Sequence, residues 1–315
     1  MNAATELISI CIPAYKRVHF LQRLLNSIMV QTCRDFEVVL TDDSPGTEVN
    51  ELVKQYQGKL PLIYHKNPVA LGTPENWNEG VRRASGKWIK LMHDDDWFSG
   101  PESLQRFADA ANAHKDSSFF YSAYNNVFEE NGHTQTVRAS AFRRKQLLAN
   151  PVTLFSKNII GPPSVTMYRN YPEFTYDKTT KWVVDIDFYI RYIQQYPPVY
   201  IDAPLVNVGI NQHQVTQVSF RKPEVEIPEN FYLLKKTGTD HLKNFLVYDA
   251  WWRLMRNLDV RSVSQVSEAG YTEPVPRQVQ KIISFQQKIP RSLLKTGIFS
   301  KLFMLASYLF NGGKS

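Results

Sequence analysis

From Leu7 to Met92 the chain alternates short apolar runs with helically spaced segments, and this alternation restricts the fold more than any single residue does. Leu7-Ile8-Ser9-Ile10-Cys11-Ile12 reads as a buried strand ended by Pro13. Residues 18–31 place Phe20, Leu21, Leu24, Leu25 and Ile28 at helical spacing. A second strand over 36–40 is closed by Thr41-Asp42-Asp43-Ser44-Pro45-Gly46, a helix follows over about 48–56, and 62–65 is a third strand. Gly72-Thr73-Pro74 opens another helix, with Thr73 placed to cap and Pro74 in the first turn. That helix ends near Ala84-Ser85-Gly86, and a fourth strand runs over 87–92. Alternation of this kind predicts a mostly parallel sheet with helices on both faces. Ligands of such sheets collect beyond the carboxyl ends of the strands. Pro13-Ala14-Tyr15, Asp42-Asp43 and Asp94-Asp95-Asp96 all fall there. Neither GxGxxG nor GxxxxGK[ST] occurs at these turns, so no dinucleotide cofactor or P-loop chemistry is expected.

Three consecutive carboxylates at the mouth of a buried strand repel one another, and burying them unpaired is costly. A divalent cation with phosphate ligands supplies the missing charge, since Mg²⁺ and Mn²⁺ take carboxylate, phosphate and water oxygens. An isolated Asp run is more simply a solvated acidic turn; the apolar strand before it and the other clusters on the same edge argue for the cation.

The order and spacing of several segments resemble the nucleotide-sugar-dependent glycosyltransferases of family 2, which have the GT-A fold. The matching segments are Ser9-Ile10-Cys11-Ile12-Pro13-Ala14-Tyr15-Lys16-Arg17, Phe36 to Ser44, Leu71-Gly72, Asn78-Glu79-Gly80, Ala84 to Ile89, and the Asp cluster with Trp97. The resemblance is specific over 7–100, traceable to about 216 and absent beyond. It implies that Pro13 and Tyr15 line a base pocket, that Asp43 accepts a hydrogen bond from the base, and that Asp94 faces the ribose. Asp95 would hold the Mn²⁺ or Mg²⁺ that bridges the donor diphosphate, with Asp96 behind it. His93 stands where many relatives carry the first Asp of an Asp-x-Asp-Asp motif. Asp185 in Val184-Asp185-Ile186-Asp187 matches the acceptor-activating carboxylate, and Asp187 is the second candidate; both would also sit favourably at a helix N-terminus. Gly161-Pro162-Pro163-Ser164 corresponds to an acceptor-pocket loop, or is an ordinary Pro-rich turn. His213 in Asn211-Gln212-His213 would touch the diphosphate or the metal, or be structural. Trp97 and Trp182 are core residues or sugar-stacking platforms.

The resemblance thus implies an inverting, metal-dependent hexosyltransferase. It would move a sugar, uridine-linked by expectation, to a hydroxyl of a surface polysaccharide or lipid-linked glycan. The rivals are a carboxylate-cluster phosphohydrolase and a non-catalytic basic membrane-binding protein. The first predicts an Asp-x-Asp directly after the first strand, where this chain has Pro-Ala-Tyr.

Beyond the alternating half, 118–123 and 164–168 read as strands, 138–145 as a polar, mobile loop, and 182–192 as a helix. Residues 229–262 read as one helix, and a break over 262–276 precedes a basic tail. We expect a catalytic domain over 1–220 and a helical region over 221–315. The net charge is +7, and seven basic residues with no acidic ones follow Glu273, so the tail holds the whole excess. Such a tail suggests an anionic lipid surface as partner, with no nucleic acid expected; packing onto the catalytic domain is the competing reading. Cys11 and Cys33 lack disulfide or metal spacing, as in a reducing cytoplasm. The N-terminus has no basic segment before its apolar run, and no apolar stretch has bilayer length. The expected setting is the cytoplasm, in solution or at the inner face of the membrane.

Overall fold

The computed structural model describes residues 6–211 and 221–311. It divides into two compact units. One comprises the residues up to Ala149 and from Ile159 to Asn211. The other comprises Asn150–Asn158 and the residues from 221 on.

The first unit is built on one sheet of nine strands: β1 (Ile8–Ala14), β2 (Phe36–Asp42), β3 (Leu62–Lys66), β4 (Trp88–Leu91), β5 (Trp97–Phe98), β6 (Phe119–Phe128), β7 (Thr134–Val137), β8 (Thr166–Arg169) and β9 (Pro198–Ile210). The order is β3-β2-β1-β4-β8-β6-β9-β5, with β7 on β6. β3, β2, β1 and β4 are parallel, as the alternation predicts. β8 then reverses direction against β4, so the complete sheet is mixed. Helices α1 (Val18–Met29), α2 (Glu48–Lys54), α3 (Glu75–Arg83), α4 (Ser103–Ala113), α5 (Ala141–Ala149) and α6 (Val184–Ile193) accompany it.

Pro13 does not end β1. It pairs with Thr41 of β2 inside the strand, where β1 has already run past its partners on β4. Its missing N–H therefore removes no bond on that side. The Ile10, Cys11, Val39, Leu40, Ile89 and Leu91 side chains are fully buried, as a two-sided parallel sheet requires. Thr73 does not cap α3; the cap position falls to Pro74, one residue later, with no side-chain bond. The loop expected over 138–145 is only three residues long, 138–140, and α5 begins at Ala141.

The second unit contains α7 (Pro223–Thr237), α8 (Phe245–Asn257), α9 (Val263–Glu268), α10 (Arg277–Gln287), α11 (Arg291–Lys295) and α12 (Gly297–Asn311). The single helix expected over 229–262 is broken: Gly238 at φ 102° ends α7, and Asn244 caps α8 through the amides of Leu246 and Val247. The break expected at 262–276 contains α9, capped by Ser262 in a capping box with Gln265.

Candidate active site

The carboxyl ends of β1, β2 and β4 bring the predicted clusters to one edge. Asp94, Asp95 and Asp96 follow β4, and all three are buried. Arg17, in the turn after β1, is the counter-charge of Asp94 and Asp95 in this structure. Its Nη2 donates to Asp94 Oδ1 at 2.6 Å and its Nη1 to Asp95 Oδ2 at 3.0 Å. The Tyr15 amide reaches Asp94 Oδ2 at 3.4 Å, and Asn211 Nδ2 reaches Asp95 Oδ2 at 3.5 Å. Asp96 accepts the Gly209 amide of β9 at 3.1 Å. A Cβ on Gly209 would lie 2.6 Å from the Asp95 carbonyl, so only glycine admits this approach.

Burial lifts Asp94 to a pKa of about 7; the Arg17 guanidinium pulls against this and the Asp95 charge adds to it. Burial and then the Asp95 charge also push Asp96 well above the usual carboxylate range. The His93 imidazole is driven down to about 4 by burial, so it is neutral and can ligate. Its Nε2 is buried without a hydrogen-bond partner among the described residues. Ligand atoms of His93, Asp95 and Asp96 lie within 4.8 Å of one another. Two carboxylate oxygens suit Mn²⁺ or Mg²⁺, and the neutral imidazole is a third donor that fits Mn²⁺ better than Mg²⁺. An acid raised in the fold binds a proton more tightly there than in the unfolded chain, so it lowers stability as pH rises through its folded pKa. Without ligands, the melting temperature of Asp94→Asn relative to the native chain is expected to climb between pH 5 and pH 8; a flat difference would refute the assignment.

Asp43 is committed to protein donors: Asn67 Nδ2 at 2.7 Å, and the amides of Leu71 at 3.0 Å and Gly72 at 2.8 Å. It thus holds the Leu71-Gly72 turn against β2. The adjacent Asp42 takes Tyr64 OH at 2.8 Å and Lys66 Nζ at 3.0 Å. Pro13 is half-buried beside it, and the Tyr15 ring stands 48% exposed. Lys16, at φ 65°, turns the chain between Tyr15 and Arg17 and donates its amide to Ser44 Oγ at 2.7 Å.

The Gly161–Ser164 segment links the acidic cluster to α6. Ser164 Oγ accepts the His93 amide at 2.9 Å, and the Ser164 carbonyl accepts Lys90 Nζ. At its other end the Gly161 carbonyl accepts Tyr189 OH of α6 at 3.1 Å. Gly161 has φ 105°, and a Cβ there would meet the Tyr124 ring at 2.7 Å. Gly161→Ala should therefore cost roughly 1–3 kcal/mol in backbone strain alone, read as a lower urea midpoint; an unchanged midpoint would show that the segment yields.

Asp185 and Asp187 both lie in the first turn of α6. Asp185 is half-buried and its Oδ1 accepts the Ile186 amide at 2.8 Å. Asp187 is 1% exposed and ion-paired to Arg191 at 2.8 Å, whose Nη2 also holds the Thr175 carbonyl. His213 lies outside the described residues. Trp182 is half-buried, and the Arg23 guanidinium lies 3.6 Å from the centre of the Trp97 ring, which argues for a packed rather than a sugar-facing Trp97.

Sequence reasoning assigned no role to four contributors. Arg17 stood inside a quoted motif without a role. Lys90, fully buried and lowered by that burial to about 7, is the one cation in Trp88-Ile89-Lys90-Leu91; a charge inside an apolar strand was the signal. Trp77 packs 4.8 Å from His93 and 5.2 Å from Tyr176, and Asn78 clasps Tyr176 through both backbone groups, at 2.9 Å each.

A parallel β1–β4 half-sheet continued by reversed strands, with an acidic triplet after β4, is the GT-A arrangement of nucleotide-sugar glycosyltransferases. By its sequence the chain belongs to glycosyl transferase family 2, whose profile matches residues 9–172. It is 25% identical over 203 residues to an uncharacterized glycosyltransferase of Haemophilus influenzae, covering 63% of this chain and 67% of the relative. An uncharacterized glycosyltransferase of Rickettsia bellii, 26% identical, is matched over 43% of this chain but only 19% of its own length. Among solved structures, S. aureus TarS 1–349 in complex with UDP-GlcNAc superposes with TM-score 0.57 at 16% identity, over 98% of this chain and 90% of that one. The mannosyltransferase PcManGT from Pyrobaculum calidifontis, in complex with GDP-Man and Mn²⁺, gives 0.54 at 13% identity, over 98% and 88%. Likeness at these identities establishes the fold.

Proposed function

We propose that this chain transfers a sugar from a uridine diphosphate donor to an acceptor hydroxyl, with inversion at the anomeric carbon. The observation that carries the reading is the joining of the buried Asp94–Asp96 cluster to the Asp185 helix by one short segment, Gly161–Ser164. The exposed Tyr15 ring, beside Pro13, stacks on the base. Asp43 fixes the Leu71-Gly72 turn, whose backbone borders the base, and so shapes the pocket while its own oxygens stay with their protein donors. Asp94 is poised near neutrality toward the ribose hydroxyls. Asp95, with His93 and Asp96, would hold Mn²⁺ or Mg²⁺, which supplies positive charge against the diphosphate leaving group. Asp185 takes the proton of the attacking hydroxyl, and a single carboxylate opposite the leaving group gives direct displacement.

The acceptor we propose is a hydroxyl of a surface polysaccharide or a lipid-linked glycan, met at the cytoplasmic face of the membrane. Among the described residues no helix is long and apolar enough to cross a bilayer. The test is calorimetry of UDP with and without Mn²⁺. Binding that requires the metal supports the donor assignment. Failure of UDP and of other nucleoside diphosphates alike would overturn it.

A further inference from the structure

The second unit ends in a helix that is inside out. On α12 the buried positions are Ser300, Met304 and Ser307. Its large apolar side chains face solvent: Ile298 is 77% exposed, Leu302 58%, Leu305 42% and Leu309 63%. These four recur at i, i+4, i+7 and i+11, so they form one stripe, and the exposed Phe299 and Phe310 widen it. A core-packed helix would bury this face and expose its serines.

The roll of α12 is set by polar contacts and is therefore specific. Ser300 Oγ accepts Trp252 Nε1 at 3.1 Å and Arg256 Nη1 at 2.9 Å, both from α8. Ser307 Oγ and Tyr248 OH share a hydrogen bond of 2.7 Å. Tyr308 OH donates to the Lys243 carbonyl at 2.7 Å. Rotating the helix to hide its leucines would strand these buried donors and acceptors.

The charge around the stripe identifies what covers it. Lys288, Lys295 and Lys301 are exposed and form no ion pair among the described residues. A cleft beside α11 is lined by Arg256, Arg261, Arg291 and Lys295, with Asp259, already paired to Arg291 at 2.8 Å, as its carboxylate. Arg261 Nη1 is buried there without a hydrogen-bond partner among the described residues. An apolar stripe with Lys301 on its own helix, and with the exposed Arg291 and Lys295 directly before it in the chain, complements an anionic phospholipid surface. A second copy of the chain fits worse: an isologous contact sets each patch against itself, and this patch brings cations against cations. At 15 residues α12 is roughly 22 Å long, short of a bilayer core of about 30 Å, so it lies in the interface plane.

We propose that α12 docks this protein onto anionic phospholipid membranes, its Leu and Phe side chains entering the acyl boundary and the cations of α11 and α12 seated on lipid phosphates. The proposal goes beyond the glycosyl-transfer reading and does not depend on it.

Flotation of the full chain with phosphatidylglycerol vesicles and with phosphatidylcholine vesicles tests it. We expect binding to the first, weakened by salt, and little to the second. Leu302→Ser with Leu309→Ser, at exposed positions where folding is undisturbed, should reduce binding more than tenfold. Lys295→Gln with Lys301→Gln should reduce it about fivefold per charge and flatten the salt dependence. Calorimetric UDP binding of the same variants should not change, which separates failure here from failure of the donor assignment. Absence of binding to either vesicle overturns the proposal, as does equal binding to both. So does a concentration-dependent dimer that the leucine variants disperse while vesicle binding is missing.

Discussion

Asp185→Asn is expected to lower sugar transfer by on the order of 10²–10⁴-fold, the range a positioned general base supplies, while UDP affinity stays within about twofold. The carboxylate sits in the first turn of α6, where the helix N-terminus favours its charge. Asparagine keeps the shape and can still accept the Ile186 amide that Asp185 Oδ1 holds at 2.8 Å, so the fold should persist. The loss should fall on kcat. The neighbouring Asp187→Asn separates the alternatives. Asp187 is buried and tied through Arg191 to the Thr175 carbonyl, so its neutralisation should lower the melting temperature first. Breaking a buried pair from one side costs several kcal/mol. If Asp185→Asn retained full activity and Asp187→Asn lost it at unchanged melting temperature, the base would be Asp187.

The second large effect is expected at Asp95. Asp95→Ala should abolish metal-dependent UDP binding, a loss of at least about 10²–10³-fold, because several kcal/mol of charge stabilisation leave with the cation. The unliganded variant should be as stable as the native chain or more so. Asp94 and Asp95 share one guanidinium with Asp96 buried beside them, and deleting one carboxylate relieves like-charge repulsion. Melting curves and calorimetry on the same sample decide the matter. A clear drop in melting temperature would assign Asp95 to anchoring Arg17. Retained metal-dependent binding would move the cation site elsewhere.

The parallel half of the fold was legible because a two-sided sheet writes continuous apolar runs, and β1, β2 and β4 are such runs. Their carboxyl ends were legible too, which placed Tyr15, Asp43 and the acidic triplet on one edge. The reversal at β8 was not, since strand direction is set by the connection and leaves no mark in the strand itself. The same limit hid Arg17: its pairing with Asp94 and Asp95 spans 77 and 78 positions, and periodicity sees only neighbours. Asp43 was expected to accept a hydrogen bond from the base; its protein donors, Asn67 and the amides of Leu71 and Gly72, come from later in the chain and leave no mark in the motif. The tail was legible as a basic segment of a helical region. Which side faces inward could be decided only by Trp252, Arg256 and Tyr248, which seek its serines.

The Gly161–Ser164 segment has a consequence for how substitutions combine. It is held at one end by His93 and Lys90 and at the other by Tyr189, with Gly161 wedged against Tyr124. The buried Asp94–Asp96 cluster and the helix that carries Asp185 are therefore not independent modules. Changes on the two sides should depart from additivity, by about 0.5–3 kcal/mol for coupled neighbours. Directed changes of acceptor would then do best to leave these four residues intact and vary the pocket walls around them.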